Sequence, residues 1–234
     1  MTLKEDITKE VRRIFKEVWT ERDGRTVPEA KDVGLSNDAI HFKRVTILYA
    51  DLNGSTSMVD SKKWGFSAEI YRTFLFTAAR LIRNEGGFIT AYDGDRVMSV
   101  FIGDNQTTPA IRCGLKINWA VKNIVQPELK SQYSDSTFVV KHVVGIDTSE
   151  IRIARTGVRG DNDLVWVGRS ANYAAKLTEL DAAYPTWITK AAFDIADDSV
   201  KYSGTEKTSM WEKRLWTSMN NIEVYRSNWN WRVD

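Results

Sequence analysis

Two aspartates stand beside β-rich runs of the chain, where their carboxylates could work together. Asp51 lies near the end of RVTILYADL (44–52) and is followed by the small, turn-forming residues NGSTS (53–57). Asp95 follows an Asp-Gly pair that separates two further β-rich runs. Two carboxylates held close together repel each other at a cost unless a divalent cation bridges them. The pair therefore predicts a site for Mg²⁺ or Mn²⁺, and two such ions would suit an in-line phosphoryl displacement.

The residues after Asp51 have the types expected of a phosphate-binding loop. Unpaired backbone amides and the positive end of a following helix favour anions. The candidate contacts to a triphosphate are Asn53, Gly54, Ser55 and Thr56. Taken alone, an Asp at the end of a strand is more often a turn former or a cap, and Asp93 is assigned to the turn itself.

The surrounding segments predict a mixed α/β domain. Apolar residues from Ile7 to Trp19 recur at helical spacing and predict an amphipathic helix that ends near Asp23-Gly24. Such a helix covers either its own core or a second subunit. The other predicted helices are 64–83, 108–125 and 170–180, with Pro127 beyond the end of the second. The predicted strands are 44–52, 88–92, 96–101, 137–146, 150–156 and 163–168, with a hairpin at Asp93-Gly94 and a long hairpin turn at 157–162.

The length of 234 residues favours one α/β core with terminal additions. We predict an N-terminal helix and connector over 1–40, a core domain over 41–200 and a C-terminal extension packed on the core over 201–234. The end of the chain is rich in aromatic residues. Its tryptophans are expected to be mostly buried anchors rather than a base-stacking platform: Trp187, Trp211, Trp216, Trp229 and Trp231.

The composition argues against several classes of function. Lys plus Arg (33) nearly balance Asp plus Glu (31) without a basic block, so nucleic acid is not an expected partner. The single Cys113 excludes an internal disulfide, and the two distant histidines, His41 and His142, argue against a zinc site. No run approaches membrane-spanning length and no signal-peptide pattern begins the chain, so a cytoplasmic location is expected.

Four segments together resemble the motifs of one enzyme family, the class III nucleotidyl cyclases. YADLNGST (49–56) and YDGDRVMSVF (92–101) resemble the paired metal motifs of their catalytic domains. VGIDTSE (144–150) resembles a strand-turn segment, and VGRSANYAAKL (167–177) resembles the helix whose Asn acts in the transition state. The resemblance implies an α/β (α+β) fold with a ferredoxin-like core, in which helices flank a mostly antiparallel central sheet and 41–200 is the catalytic domain.

The resemblance also implies a role for each matching residue. Asp51 and Asp95 would ligate two Mn²⁺ or Mg²⁺ ions, with the carbonyl of Leu52 as a further ligand, and Asn172 would orient the ribose. Lys176 stands where the family has an Arg that stabilises charge on the α-phosphate; Lys keeps the charge but loses the bidentate fork. The family's sites form between two antiparallel protomers. A homodimer with shared sites is therefore expected.

The positions that read a purine base in the family are occupied here by apolar residues. Ala91 lies four residues before Asp95, and Val165 lies seven residues before Asn172. Neither side chain can hydrogen-bond adenine or guanine. Tyr49 stands where the family often has Phe, and its phenol could narrow the pocket or bond to a small ring, although it could equally be a core aromatic of the strand. These residues favour a pyrimidine nucleotide.

With its purine determinants replaced, the chain resembles the bacterial pyrimidine cyclases of Pycsar antiphage systems, which make cyclic UMP or cyclic CMP. The resemblance implies conversion of UTP, or of CTP, to the 3′,5′-cyclic monophosphate and pyrophosphate. It also implies a separate effector that responds to the cyclic nucleotide. Overall resemblance favours UTP over CTP.

Two other functions stay open at the level of sequence. An adenylate or guanylate cyclase could read its purine through the backbone or through a side chain such as Arg96 or Arg169. A catalytically degenerate domain could bind nucleotide and regulate a partner, which the replacement of Arg by Lys176 would allow. Retention of both metal aspartates argues against the second alternative, because paired carboxylates are costly to keep without a cation.

Overall fold

The computed structural model describes residues 1–234, and the chain divides into two compact units. The smaller unit is Met1–Arg44 with Glu150–Gly168, and the larger is Val45–Ser149 with Arg169–Asp234. Two long strands, β2 and β5, each contribute to both units. The predicted domain boundaries after residues 40 and 200 stay predictions.

Seven α-helices and eleven strands make up the chain. The helices are α1 (Leu3–Lys16), α2 (Ser55–Ser61), α3 (Trp64–Asn84), α4 (Thr107–Ala120), α5 (Gln126–Gln132), α6 (Arg169–Leu177) and α7 (Lys190–Ile195). The strands are β1 (Thr20–Asp23), β2 (Asp38–Leu52), β3 (Phe88–Asp93), β4 (Arg96–Phe101), β5 (His142–Val158), β6 (Asp161–Val167), β7 (Thr186–Thr189), β8 (Tyr202–Ser203), β9 (Thr208–Ser209), β10 (Glu212–Trp216) and β11 (Ile222–Ser227). No helix combines the length and the apolar content that crossing a membrane requires.

The N-terminal helix α1 is shorter than its apolar pattern predicts. It begins with a capping box between Thr2 and Glu5 and ends at Lys16, whereas the spacing of apolar residues predicts an end near Asp23. Asn37 explains the difference, because its side-chain amide donates to the carbonyls of Ile14 (2.8 Å) and Glu17 (2.7 Å) and so satisfies the helix end. The following residues form β1, which pairs in parallel with the start of β2. None of the residues of α1 is buried, and its role as cover for a second subunit stays a prediction.

Strand β5 replaces two predicted strands. The sequence predicts strands at 137–146 and 150–156, separated by the polar residues Asp147, Thr148 and Ser149, but a single strand runs from His142 to Val158. The polar residues do not interrupt it because the first two are buried and hydrogen-bonded: Asp147 accepts from Arg169, and the Thr148 hydroxyl donates to the carbonyl of Val45. The predicted long turn at 157–162 is correspondingly short, since β5 and β6 pair as far as Val158 and Asp161.

Most strands of the central sheet lie in the larger unit. Its strand order is β10-β11-β7-β5-β2-β4-β3. Strand β7 pairs in parallel with β5, whereas β10 with β11, β11 with β7, β2 with β4 and β3 with β4 are antiparallel. Helices α3 and α4 bury apolar faces in the core that this sheet shares, including Phe74, Ile82 and Leu115. The predicted fold class, a mostly antiparallel sheet flanked by helices, is confirmed.

Pro127 does not end the second large helix as its position predicts. Helix α4 stops at Ala120, a wide π-helical turn follows over Val121–Val125, and α5 continues with Pro127 in its first turn. The amide of Gln126 still donates to the carbonyl of Val121, so the helical hydrogen bonding continues across the wide turn. Proline lacks a backbone N–H, and a π-helical turn is a place where the regular i→i−4 bonding is already interrupted. The helical path is therefore longer than 108–125.

The C-terminal tryptophans are mostly buried, as predicted. Trp187, Trp211 and Trp216 are each less than a tenth exposed, Trp231 is half-buried, and Trp229 lies at the surface. Two of the buried indoles have acceptors: Trp211 donates to the carbonyl of Val200 at 2.7 Å, and Trp187 donates to that of Asp181 at 3.1 Å. The aromatic end of the chain serves as a set of anchors on the core.

Candidate active site

The backbone ladder between β2 and β4 brings the two candidate metal aspartates together. Asp51, near the end of β2, is paired with Arg96 at the start of β4. Asp95 directly precedes Arg96 in the turn of the β3–β4 hairpin, where Gly94 adopts a left-handed backbone (φ 61°). Glycine reaches this conformation without a steric penalty. The predicted hairpin is confirmed, and it places both carboxylates at the same end of neighbouring strands.

The electrostatics of this pair suit a cation. Burial raises the pKa of Asp51 from 3.8 to about 6, and the nearby carboxylate of Asp95 adds to the rise, while Arg96 and Thr178 oppose it. Oδ2 of Asp95 is buried and has no hydrogen-bond partner. A buried carboxylate oxygen without a hydrogen-bond partner, near a second carboxylate, is costly, and hard divalent cations prefer such oxygen ligands. The two side chains therefore fit a divalent cation.

Arg96, predicted from the sequence only as a possible contact to a purine base, lies beside the two aspartates. Its Nη2 lies 2.7 Å from Oδ2 of Asp93, which holds the guanidinium beside the hairpin turn. Its guanidinium carbon lies 5.7 Å from the ring centre of Tyr49, within the range of a cation–π contact. Its position next to Asp95 in the sequence was the available signal.

Tyr49 lies one side-chain step before Asp51 on the same face of β2, since alternate residues of a strand share a face. It is half-buried, opposite Met98 in the ladder, and its hydroxyl donates to the Met98 sulfur at 3.0 Å. Burial raises the pKa of its phenol, so the group stays a neutral donor at physiological pH. A neutral phenol beside Asp51 and Arg96 can contact a ligand as well as pack.

The loop after Asp51 offers fewer backbone donors than its sequence indicates. The amide of Asn53 already donates to the carbonyl of Lys141 at 2.9 Å. Gly54 is left-handed (φ 79°), and α2 begins directly after it at Ser55. The amides of a first helical turn lack intrahelical acceptors. The amides from Gly54 to Ser57 therefore have no backbone acceptor, and the next amide, that of Met58, donates to the carbonyl of Gly54. The side chain of Asn53 is exposed.

Helix α6 carries Asn172 and Lys176 on its exposed face, one turn apart. Within the chain neither side chain hydrogen-bonds to Asp51 or Asp95, and Nζ of Lys176 lies 3.7 Å from the sulfur of Met219. The opposite face of α6 packs closely on β5: a Cβ at Gly145 would lie 2.1 Å from the carbonyl oxygen of Ala174. One chain therefore presents two separate sets of candidate residues.

Thr178, just beyond α6, is a further residue near the aspartates. Its buried hydroxyl lies 3.5 Å from Oδ2 of Asp51 and donates to the carbonyl of Ala175 at 2.7 Å. The two residues are 127 positions apart in the sequence, and no motif connects them. Nothing in the sequence predicts this contact.

The two apolar residues at the purine-reading positions lie in different units. Ala91 is exposed on β3, opposite Met98. Val165 is exposed on β6 of the smaller unit, opposite Ala154. Neither offers a hydrogen-bonding side chain, and their part in base selection stays a prediction.

Comparison with known proteins places the chain among named relatives, although no protein-family model matches it. A uridylate cyclase of Xanthomonas perforans is 49% identical over 235 residues, covering 100% of both chains. One of Burkholderia cepacia is 51% identical over 234 residues, again covering 100% of both. One of Rhodovulum sp. (strain MB263) is 37% identical over 237 residues, covering 99% of this chain and 98% of its own.

Solved structures agree with the fold. The crystal structure of an adenylyl cyclase from P. aeruginosa superimposes with a TM-score of 0.67 at 18% identity, covering 84% of this chain and 96% of that one. That of a guanylyl cyclase superimposes with a TM-score of 0.67 at 16% identity, covering 82% and 94%. The chain has the fold of nucleotide cyclases and, with relatives 37% to 51% identical along nearly their whole length, belongs to the uridylate cyclase family.

Proposed function

We propose that the protein is a homodimeric uridylate cyclase that converts UTP to 3′,5′-cyclic UMP and pyrophosphate. The observation that carries the proposal is the neighbouring pair Asp51 and Asp95, in which Oδ2 of Asp95 is buried without a hydrogen-bond partner. In the reaction the ribose O3′ bonds to the α-phosphorus, the bond from that phosphorus to the bridging oxygen breaks, and pyrophosphate leaves. The 3′-hydroxyl proton passes to solvent.

The carboxylates of Asp51 and Asp95 and the carbonyl of Leu52 would hold two divalent cations, Mn²⁺ or Mg²⁺. When bound, such cations activate the ribose hydroxyl and neutralise the phosphates. The amides of Ser55 and Thr56, together with Asn53 and Gly54, would contact the triphosphate at the start of α2. The protein would hold the substrate so that the attacking ribose oxygen and the leaving pyrophosphate lie in line at the α-phosphorus.

The second half of the site would come from the partner protomer. Asn172 would orient the ribose, and Lys176 would stabilise the charge that develops on the α-phosphate. Both side chains are exposed, and within one chain neither hydrogen-bonds to Asp51 or Asp95. These observations support a site shared between two protomers. Each homodimer would then contain two equivalent sites.

Selection of a pyrimidine is supported by the names of the relatives and by the residues near Asp51. The phenol of Tyr49 and the guanidinium of Arg96 flank the aspartates, and Ala91 and Val165 offer no polar contact to a purine. A site that pairs its polar groups with uracil would leave them unpaired against adenine. UTP is therefore the proposed substrate, with CTP as the nearest competitor.

The test is turnover of UTP, CTP, ATP and GTP, each supplied separately with Mn²⁺ or Mg²⁺, with pyrophosphate and cyclic products measured. We expect UTP to give the highest kcat/KM and Asp95→Ala to reduce UTP turnover at least about 100-fold. A purine triphosphate as the best substrate would refute the pyrimidine assignment. Equal pyrophosphate release by wild type and Asp95→Ala would refute the mechanism.

The cellular role stays a prediction. We infer that the cyclic nucleotide acts as a second messenger in bacterial antiphage defence, made in the cytoplasm and sensed by a separate effector. The resemblance of the motifs to those of the Pycsar cyclases supports this role.

A further inference from the structure

The side chain of Arg169, the first residue of α6, is hydrogen-bonded to strand β5 of the central sheet. Its Nε lies 3.0 Å from Oδ2 of Asp147, and its Nη2 lies 3.2 Å from Oδ1. The same Nη2 donates to the carbonyl of Thr148 at 2.7 Å. A planar guanidinium that reaches a carboxylate and a carbonyl together holds one orientation, which a lysine could not reproduce.

The acceptor of this arrangement is fully buried. The side chain of Asp147 is 0% exposed, and the Thr189 hydroxyl also donates to its Oδ1. Burial raises the pKa of Asp147, and the bonds from Thr189 and Arg169 oppose that rise. A buried carboxylate without its partners is strongly unfavourable. Arg169 thus compensates a charge that lies between β5 and the end of β7.

A second contact secures the same end of the helix. The amide of Ser170 donates to the hydroxyl oxygen of Ser149 at 2.9 Å, and the two serine hydroxyls lie 3.0 Å apart. We call the set Arg169, Asp147 and Thr189, together with this serine pair, the α6 clasp. The clasp attaches the start of α6 to two neighbouring strands rather than to a loop.

We propose that Arg169 is a positioning residue for cyclisation: by its hold on Asp147 it fixes the direction of α6 and so aims Asn172 and Lys176. The inference rests on the proposed function. Asn172 lies one turn and Lys176 two turns after Arg169, so all three share a helix face. Both functional side chains are exposed, and the clasp is the fixed point before them on that face. A displacement of about 1 Å in an aligned site can cost about 100-fold in rate.

The first experiment compares Arg169→Lys and Arg169→Met with wild type for kcat and KM on UTP. We expect kcat to fall about 10- to 100-fold while KM changes less than about threefold, because alignment is lost rather than ground-state binding. Arg169→Lys retains a charge to balance Asp147 and keeps the measurement possible if Arg169→Met does not fold. Arg214→Met, which breaks an exposed ion pair with Glu212, is the matched control and should leave both constants unchanged.

The second experiment uses mixed dimers of two differently tagged variants. Asp95→Ala paired with an Arg169 variant should recover activity, because one site combines the intact aspartates of one chain with the intact α6 of the other. Asn172→Ala paired with the same Arg169 variant should not recover, because both lesions affect the same half of the site. A general loss of stability would not follow this pattern.

Wild-type kcat in the Arg169 variants, or recovery in the pairing with Asn172→Ala, would overturn the inference. Asp95→Ala paired with Asn172→Ala is the control for site sharing. If that control fails, the shared-site part of the proposed function is wrong, and the kcat and KM values of Arg169→Lys still decide whether the clasp positions α6.

Discussion

At the level of single residues, the carboxylates of Asp51 and Asp95 suit the proposed chemistry but lower the stability of the fold. The fold holds two carboxylates near each other, and one of their oxygens has no hydrogen-bond partner. Such an arrangement destabilises the protein when no cation is bound, because like charges repel in a partly buried site. Removing one carboxylate should relieve this repulsion while abolishing the chemistry.

The substitution Asp51→Asn tests both effects. The folded pKa of Asp51 is raised from 3.8 to about 6, so its stabilising contribution is present at low pH and is lost as pH rises through about 6. At pH 7.5 in chelator, Asp51→Asn should raise the Tm by about 2–4 °C, which corresponds to about 1 kcal/mol after allowance for solvent screening. Turnover of UTP should fall at least about 100-fold.

Thermal melts of both proteins at pH 4 to 8 check this prediction. The difference in Tm should be small at pH 4 and grow as the pH rises through 6, and added Mn²⁺ should raise the Tm of wild type only. A variant less stable than wild type at pH 7.5 without metal would contradict the account.

The residues of the site differ in how far sequence could predict them. Asp51 and Asp95 could be predicted, because an Asp-Gly hairpin signal and the end of a strand are local sequence patterns. The contact between Thr178 and Asp51 was not, because it joins residues 127 positions apart through the tertiary fold. The hydrogen bond from the amide of Asn53 could not be predicted either, since its acceptor is the carbonyl of Lys141, which is distant in the sequence.

At the level of elements, the close packing of α6 on β5 sets where its functional face lies. A Cβ at Gly145 would stand 2.1 Å from the Ala174 carbonyl oxygen and 2.8 Å from the Cβ of Leu177. These are backbone and near-backbone atoms, which cannot move aside without moving the helix. Glycine at this position therefore permits the contact.

Gly145→Ala should lower the free energy of unfolding by about 1–3 kcal/mol and reduce kcat, because α6 must shift away from the sheet. Gly65→Ala is the control, since a Cβ there meets nothing within 4 Å and an alanine within α3 favours the helix. Urea denaturation and steady-state kinetics of the two variants provide the comparison. Equal stability in both would argue against tight packing at Gly145.

Predictions of elements failed where a distant contact overrode a local signal. The polar run Asp147, Thr148 and Ser149 predicts a break between strands, yet β5 continues because partners such as Arg169 and Val45 satisfy the buried groups. Asn37 likewise ends α1 earlier than its apolar spacing predicts. Helix α3 was predicted well because its period and its Gly86-Gly87 stop are contained in the segment itself.

At the level of the whole molecule, the shared site predicts that the dimer is the active form. Light scattering after size exclusion should give about twice the chain mass of 26.7 kDa. Turnover per chain should decrease on dilution in the range where the dimer dissociates, because each half site alone lacks the other's residues. A fully active species of 26.7 kDa would refute the shared site.

The two outer strands of the central sheet have a consequence for solubility. Exposed sheet edges offer unpaired backbone groups to other chains and so invite aggregation. Strand β10, at one edge, carries the consecutive charges Glu212, Lys213 and Arg214. Strand β3, at the other, is six residues long and has an irregularity between Ile89 and Ala91. Charge at β10 and the short, irregular pairing of β3 should therefore disfavour the addition of another copy's strand at these two edges.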